Sequence, residues 1–146
     1  MAEPRRPILL VEDDADDETL TLRALTESKV ENPIVVARDG AEALDYLLGQ
    51  DAPAGGDDHG RPQVVLLDLQ LPKISGLQVL QRIRETPHLR YLPVVVLTSS
   101  DEERDLVESY RLGANSYVRK PVDFSAFVQA VRQLGLFWVL INRAPQ

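Results

Sequence analysis

Cysteine is absent from the chain, which excludes disulfides, thiolate nucleophiles and Cys-ligated metal centres. Histidine is almost absent too: His59 stands in a glycine-rich stretch and His88 in TPHLR, both positions that read as surface. A metal centre or phosphoesterase built on His ligands is therefore not expected. Positive charge is also short. Against 23 Asp and Glu there are 16 Lys and Arg, a formal net charge of −7, so no cationic surplus is available to meet nucleic-acid phosphates. Long apolar runs are missing as well. Nothing reaches the length of a membrane span, and no apolar segment of signal length follows MAEPRRP. The expectation is a cytoplasmic protein that engages neither nucleic acid nor membrane.

What is present fits one globular domain. The chain has 146 residues, 44% of them hydrophobic and 27% charged, enough for a single substantial core. Short runs rich in Val, Ile and Leu, without polar alternation, recur at 7–11, 33–37, 63–67 and 93–97, with a weaker one at 115–118. Such runs mark strands of a parallel sheet covered on both faces. Between them lie helical patterns: Asp16 to Ser28 with Leu20, Leu22 and Leu25 on one face, 40–48, 75–85 capped by Ser75, 101–113 ending at Gly113, and Phe124 toward Leu140. Five strand–helix units predict a doubly wound α/β domain with a five-stranded parallel sheet. The stretch GQDAPAGGDDHGRP (49–62) reads as a surface loop within that domain.

In such a fold, ligands sit beyond the carboxyl ends of the strands. The first strand delivers Glu12 and Asp13 there, the third Asp68, the fourth Thr98 and Ser99, and the fifth Lys120. Each has an ordinary use alone. Acids at 12–17 can be solvated helix-capping charge, as Asp16 and Asp17 are read here. Asp68 and Lys120 can belong to turns, and Thr98 with Ser99 can cap a helix. Their conjunction at four strand ends is what points to a site. Clustered carboxylates call for a hard cation, and oxygen donors suit Mg²⁺ better than Zn²⁺. A carboxylate beside Mg²⁺ and an ammonium can act as nucleophile toward a phosphoryl group.

The segments LLVEDD, LLDLQLPKISG, VVLTSS and LGANSYVRKP resemble the CheY-like receiver domain of bacterial two-component response regulators, over about Pro7 to Leu134. VEDDADDETL, NPIVVARDGAEALDYLLG and the tail LGLFWVLIN are most similar to the stand-alone regulators that partner bacterial and cyanobacterial phytochrome histidine kinases. The resemblance implies the (βα)5 flavodoxin-like fold and assigns roles. Asp68 is the phosphoacceptor, attacking a phosphohistidine of the kinase. Asp13 and Asp68 are direct Mg²⁺ ligands, Glu12 acts mainly through water, and Gln70 gives its backbone carbonyl. Thr98 and Lys120 hold the phosphoryl group, with the bond to Pro121 usually cis in the family. Thr98 and Tyr117 form the switch, remodelling the face of the fourth helix, fifth strand and fifth helix. Gly76 belongs to the loop below the acceptor.

After Leu134 the chain continues as GLFWVLINRAPQ. Leu136 to Ile141 are too consecutively apolar for one helix face, so the segment 135–146 either folds back over its own sheet or meets a partner. A twofold homodimer is the commonest arrangement for such a contact, and the phytochrome-linked regulators dimerise through this end. No helix-turn-helix follows, so output is expected through protein contact or onward transfer to a phosphotransfer protein. Other functions fit less well. An aspartyl-phosphate hydrolase needs a second acid two residues after its nucleophile, and Gln70 stands there. The protein is expected to catalyse only its own phosphorylation and dephosphorylation, and is not a turnover enzyme. A phosphate-independent module would lack one of Asp13, Asp68, Thr98 or Lys120, and all are present. Dinucleotide binding fails because acids follow the first strand where a glycine-rich phosphate loop is required.

Overall fold

A computed structural model of the chain describes residues 6–49, 61–99, 103–120, 122 and 124–133. Its elements run β1 (Ile8–Val11), α1 (Ala15–Glu27), β2 (Ile34–Ala37), α2 (Gly40–Leu48), β3 (Val64–Asp68), α3 (Gly76–Glu85), a turn of 3-10 helix (Pro87–Leu89), β4 (Val94–Thr98), α4 (Glu103–Arg111), β5 (Ser116–Arg119) and α5 (Phe124–Gln133). The strands are all parallel, in the spatial order β2-β1-β3-β4-β5. This is the expected doubly wound arrangement. Most of the loop at 49–62, Pro121 and the tail from Leu134 onward lie outside the described residues.

The strand sequences explain the layering. β1, β3 and β4 have neighbours on both edges and helices on both faces, and every residue in them is buried. That environment accepts Val, Ile and Leu without alternation. Alternate side chains then sort into two cores. Leu9, Val65 and Val96 meet Ala43 and Leu47 of α2 and Val79 and Ile83 of α3. On the opposite face, Leu10, Leu66 and Leu97 meet Ala24 and Leu25 of α1 and Phe127 of α5. β5, at an edge, alternates: Ser116 and Val118 are buried and Arg119 is exposed.

α1 departs from the expected face. Its buried positions are Thr21, Ala24 and Leu25, with Ser28 beyond its end, while Leu20 is exposed and Leu22 only partly buried. Residues two apart cannot share a helix face. The inward stripe follows the 3–4 spacing even though it is built on a Thr, an Ala and a Ser. The hydroxyl of Ser28 donates to the Ala24 carbonyl at 2.7 Å, so its burial leaves no orphan.

Helix ends are set by local chemistry. Asp14 and Asp39 cap α1 and α2, accepting from the backbone N–H of Asp17 and Glu42. Ser75 and Gln78 form a reciprocal capping box on α3. The amino end of the sheet is closed by Arg84. Its Nε and Nη2 donate to the Gly113 carbonyl at 2.9 and 2.7 Å, and Nη1 to those of Leu92 and Arg90 at 2.6 and 3.1 Å. Nη2 also reaches Asn115 Oδ1 at 2.7 Å, which accepts from the Val94 N–H as well. Gly113, at φ +100°, combines a left-handed turn with room for the Arg84 side chain.

Candidate functional site

β1 is flanked by β2 on one side and β3 on the other, so the chain switches direction across the sheet there. The crevice lies beyond the carboxyl ends of β1 and β3. Glu12 follows β1 and is wholly buried, its backbone N–H tied to the Ala37 carbonyl at 2.9 Å. Asp68, the last residue of β3, is almost as deeply buried. Its Oδ1 accepts from the Gln70 N–H at 2.9 Å. Asp13 is exposed at the rim. One carboxylate oxygen each from Glu12, Asp13 and Asp68 lie within 4.8 Å of one another, an all-oxygen donor set that fits a hard divalent cation.

Lys120 enters from the end of β5. Its backbone N–H donates to the Thr98 carbonyl at 2.9 Å, which fixes the direction of the side chain. Nζ then lies 2.8 Å from Glu12 Oε1, 2.9 Å from Asp68 Oδ2 and 3.0 Å from Asp17 Oδ2. Asp17, expected from the sequence to be solvated capping charge, is an ion-pair partner inside the site. Asp16 is exposed, as expected. The second oxygen of Glu12 accepts from the Asp14 N–H at 3.3 Å. Burial, together with the neighbouring Asp68 carboxylate, pushes the Glu12 carboxyl up to about 7 despite Lys120. For Lys120 burial acts downward, but its contacts with Glu12, Asp68 and Asp17 outweigh it and raise the ammonium above its usual value.

The other site residues fall around this centre. Thr98 is fully buried at the end of β4. Gln70 is exposed on the loop after Asp68, and its side-chain oxygen accepts from the Ser99 hydroxyl at 3.3 Å. Tyr117 is half-buried on β5 and packs against the α2–α3 core. It lines a cleft of roughly 280 Å³ with Tyr110, Arg119, Ala126 and Gln129. Below the acceptor, α3 begins in contact with the backbone of β3. A Cβ at Gly76 would overlap the Asp68 carbonyl oxygen, so only glycine allows this approach. Between them Lys73 adopts a left-handed conformation at φ +68°, and the Ile74 N–H closes a three-residue turn onto the Pro72 carbonyl at 2.8 Å.

A buried aspartate beside a cation-competent acid cluster, with an ammonium at bonding distance, is the arrangement of a phosphate-accepting aspartate site. The chain belongs to the response regulator receiver domain family, whose family model matches residues 8–132. It is similar to the probable methanogenesis regulatory protein FilR2 of Methanothrix harundinacea, with 40% identity over 94% of this chain and 86% of that protein. It is also similar to the response regulator Rcp1 of Synechocystis, at 37% identity over 93% and 90% of the two chains. The Mn²⁺-bound structure of Rcp1 superposes with a TM-score of 0.72 at 34% identity, covering 95% of this chain and 96% of that one. The bacteriophytochrome response regulator AtBRR is 54% identical over 97% of this chain and the whole of that one, with a TM-score of 0.82. These relatives are regulators rather than turnover enzymes. Among the described residues, no helix is long and apolar enough to cross a membrane.

Proposed function

We propose that the protein is a cytoplasmic response regulator that accepts a phosphoryl group on Asp68 from a sensor histidine kinase, in a Mg²⁺-dependent reaction. The observation that carries this reading is the contact of Lys120 Nζ with Asp68 Oδ2 at 2.9 Å beside the Glu12–Asp13–Asp68 oxygens. In the step, an Asp68 carboxylate oxygen attacks phosphorus, the P–N bond to the phosphohistidine breaks, and its electron pair returns to the imidazole. An acyl phosphate remains on Asp68. Lys120 neutralises phosphoryl oxygen charge, and the Thr98 hydroxyl donates to a phosphoryl oxygen. Asp13, Asp68, Glu12 through water and the Gln70 carbonyl would hold Mg²⁺, which neutralises the carboxylates and the transferring group. Output follows from Thr98 and Tyr117 remodelling the cleft between α4, β5 and α5. The likeness to AtBRR supports a bacteriophytochrome as the kinase. The message passes onward by contact with a downstream protein or by transfer to a phosphotransfer protein.

Intact mass after incubation with a small phosphodonor tests the core of this reading. We expect one phosphoryl group gained with Mg²⁺, none in EDTA and none in Asp68→Asn. No gain in folded wild type would leave a phosphate-independent module. We also propose that the apolar segment 135–146, which lies outside the described residues, serves as a homodimer contact. Trp138→Asp should then convert dimer to monomer in sedimentation velocity, and a wild type that sediments as a monomer at high concentration would remove the dimer from the reading.

A further inference from the structure

An ammonium has three N–H donors, and Lys120 Nζ already has three carboxylate oxygens within 3.0 Å, from Glu12, Asp17 and Asp68. Two of these contacts, to Asp17 Oδ2 and Asp68 Oδ2, are hydrogen bonds, while Glu12 Oε1 is held by charge at 2.8 Å without hydrogen-bond geometry. A phosphoryl group on Asp68 brings new anionic oxygens to the same ammonium, in competition with the contacts already there. The three differ in what yielding costs. The Glu12 side chain is 0% exposed, and its oxygen would lose its counter-ion where water cannot replace it. The Asp68 contact passes to the phosphoryl group that Asp68 then carries, which presents more negative charge to the ammonium than the carboxylate did. The Asp17 side chain is 33% exposed, so solvent can take over its oxygen. Its backbone stays anchored, because the Asp17 N–H is held by Asp14 Oδ1 at 2.9 Å.

We propose that Asp17 is the exchangeable counter-ion of Lys120, holding the ammonium before phosphoryl transfer and giving way to a phosphoryl oxygen afterwards. The proposal rests on the reading of Asp68 as acceptor and deepens it. Asp17 is a positioning residue, since it acts through Lys120. A contact made in the ground state and surrendered on the way to the product raises the barrier and opposes the phosphorylated state. Removing it should therefore favour phosphorylation.

The experiment compares wild type with Asp17→Asn, Asp17→Glu and Asp16→Asn at saturating Mg²⁺. Asp16→Asn removes the same charge one residue away and controls for general repulsion of an anion. Affinity for beryllofluoride is read by ¹⁹F NMR, and the rate of phosphorylation by phosphoramidate by intact mass. For the loss of a partly exposed ion pair, Asp17→Asn should gain about two- to fivefold on both measures. Asp16→Asn should change less than half as much, and Asp17→Glu should restore wild-type behaviour. Equal effects of Asp17→Asn and Asp16→Asn, in a wild type that takes up phosphate, would overturn the exchange and leave the acceptor reading intact. A wild type that takes up no phosphate would remove both. A readout independent of folding in the variants is the ¹³C shift of the Asp17 side-chain carboxylate in the wild type. It should move toward that of a free carboxylate on adding beryllofluoride, and an unmoved signal would overturn the proposal.

Discussion

Two cations grip opposite ends of the sheet, and their surroundings are nearly inverse. At the amino end, Arg84 has no acidic partner among the described residues: its acceptors are the carbonyls of Gly113, Leu92 and Arg90 and the Asn115 side chain. Its planar fork matches fixed dipoles from two loops, and burial lowers the guanidinium from its usual value without removing its charge. At the carboxyl end, Lys120 faces three carboxylates, with Asp13 beside them. Its ammonium is a compact charge on a flexible stem, able to trade one oxygen for another. One end is held by many directional bonds to partners that cannot leave. The other is held by a surplus of negative charge that a cation and a phosphoryl group can rearrange.

The largest effect that distinguishes the two ends is on stability. Arg84→Ala leaves three backbone carbonyls and Asn115 without their shared donor at a partly buried junction. Urea unfolding should show a loss of about 2–4 kcal/mol. Arg84→Lys should recover less than half of it, because an ammonium cannot span the acceptors of the fork. Phosphoryl uptake per folded molecule should stay at the wild-type level in both. Asp68→Asn is the mirror case, abolishing uptake while leaving stability equal or higher, since it removes one of the crowded negative charges. A loss below about 1 kcal/mol for Arg84→Ala would mean that water replaces the guanidinium at the carbonyls.

The two ends were unequally legible. Glu12, Asp13, Asp68, Thr98 and Lys120 each stand just at or after an apolar strand. A parallel sheet with all strands in one direction must gather such residues at one edge, so the site followed from the strands. Asp17 did not. It contacts Lys120 across 103 positions, and in sequence a first-turn aspartate is the ordinary complement of the helix dipole. Arg84 was hidden in the same way. A basic residue in the last turn of α3 reads as dipole charge, whereas its acceptors at Gly113 and Asn115 lie 29 and 31 positions away. The burial of Thr21 and Ala24 in α1 was also missed, because hydropathy drew attention to Leu20 where helical spacing should have decided. Identity and pattern located groups that a strand delivers. Contacts made between separate loops or helices leave no periodic trace.

The smallest effect separates the ends by pH. In EDTA, the Glu12 carboxyl is raised by burial to about 7, against an ordinary value of 4.5 in the unfolded chain. The unfolded state therefore gives up its proton first, and between those two values the native state binds more protons. Stability present below pH 4.5 should decline as pH rises through 7. Across that window the fall should be on the order of 1 kcal/mol. Lys120, also raised, contributes a loss only above its usual value of 10.5 and leaves this window untouched. Glu12→Gln should flatten the slope in urea titrations run from pH 4 to 8. Arg84→Lys should lower the whole curve and keep its slope, because the acceptors of Arg84 are carbonyls and an amide, which do not titrate. A slope that survives in Glu12→Gln would place the retained proton on another carboxylate of the cluster. A slope lost in Arg84→Lys would mean that the two ends are coupled through the sheet, and the division between a fixed end and an exchangeable one would no longer hold.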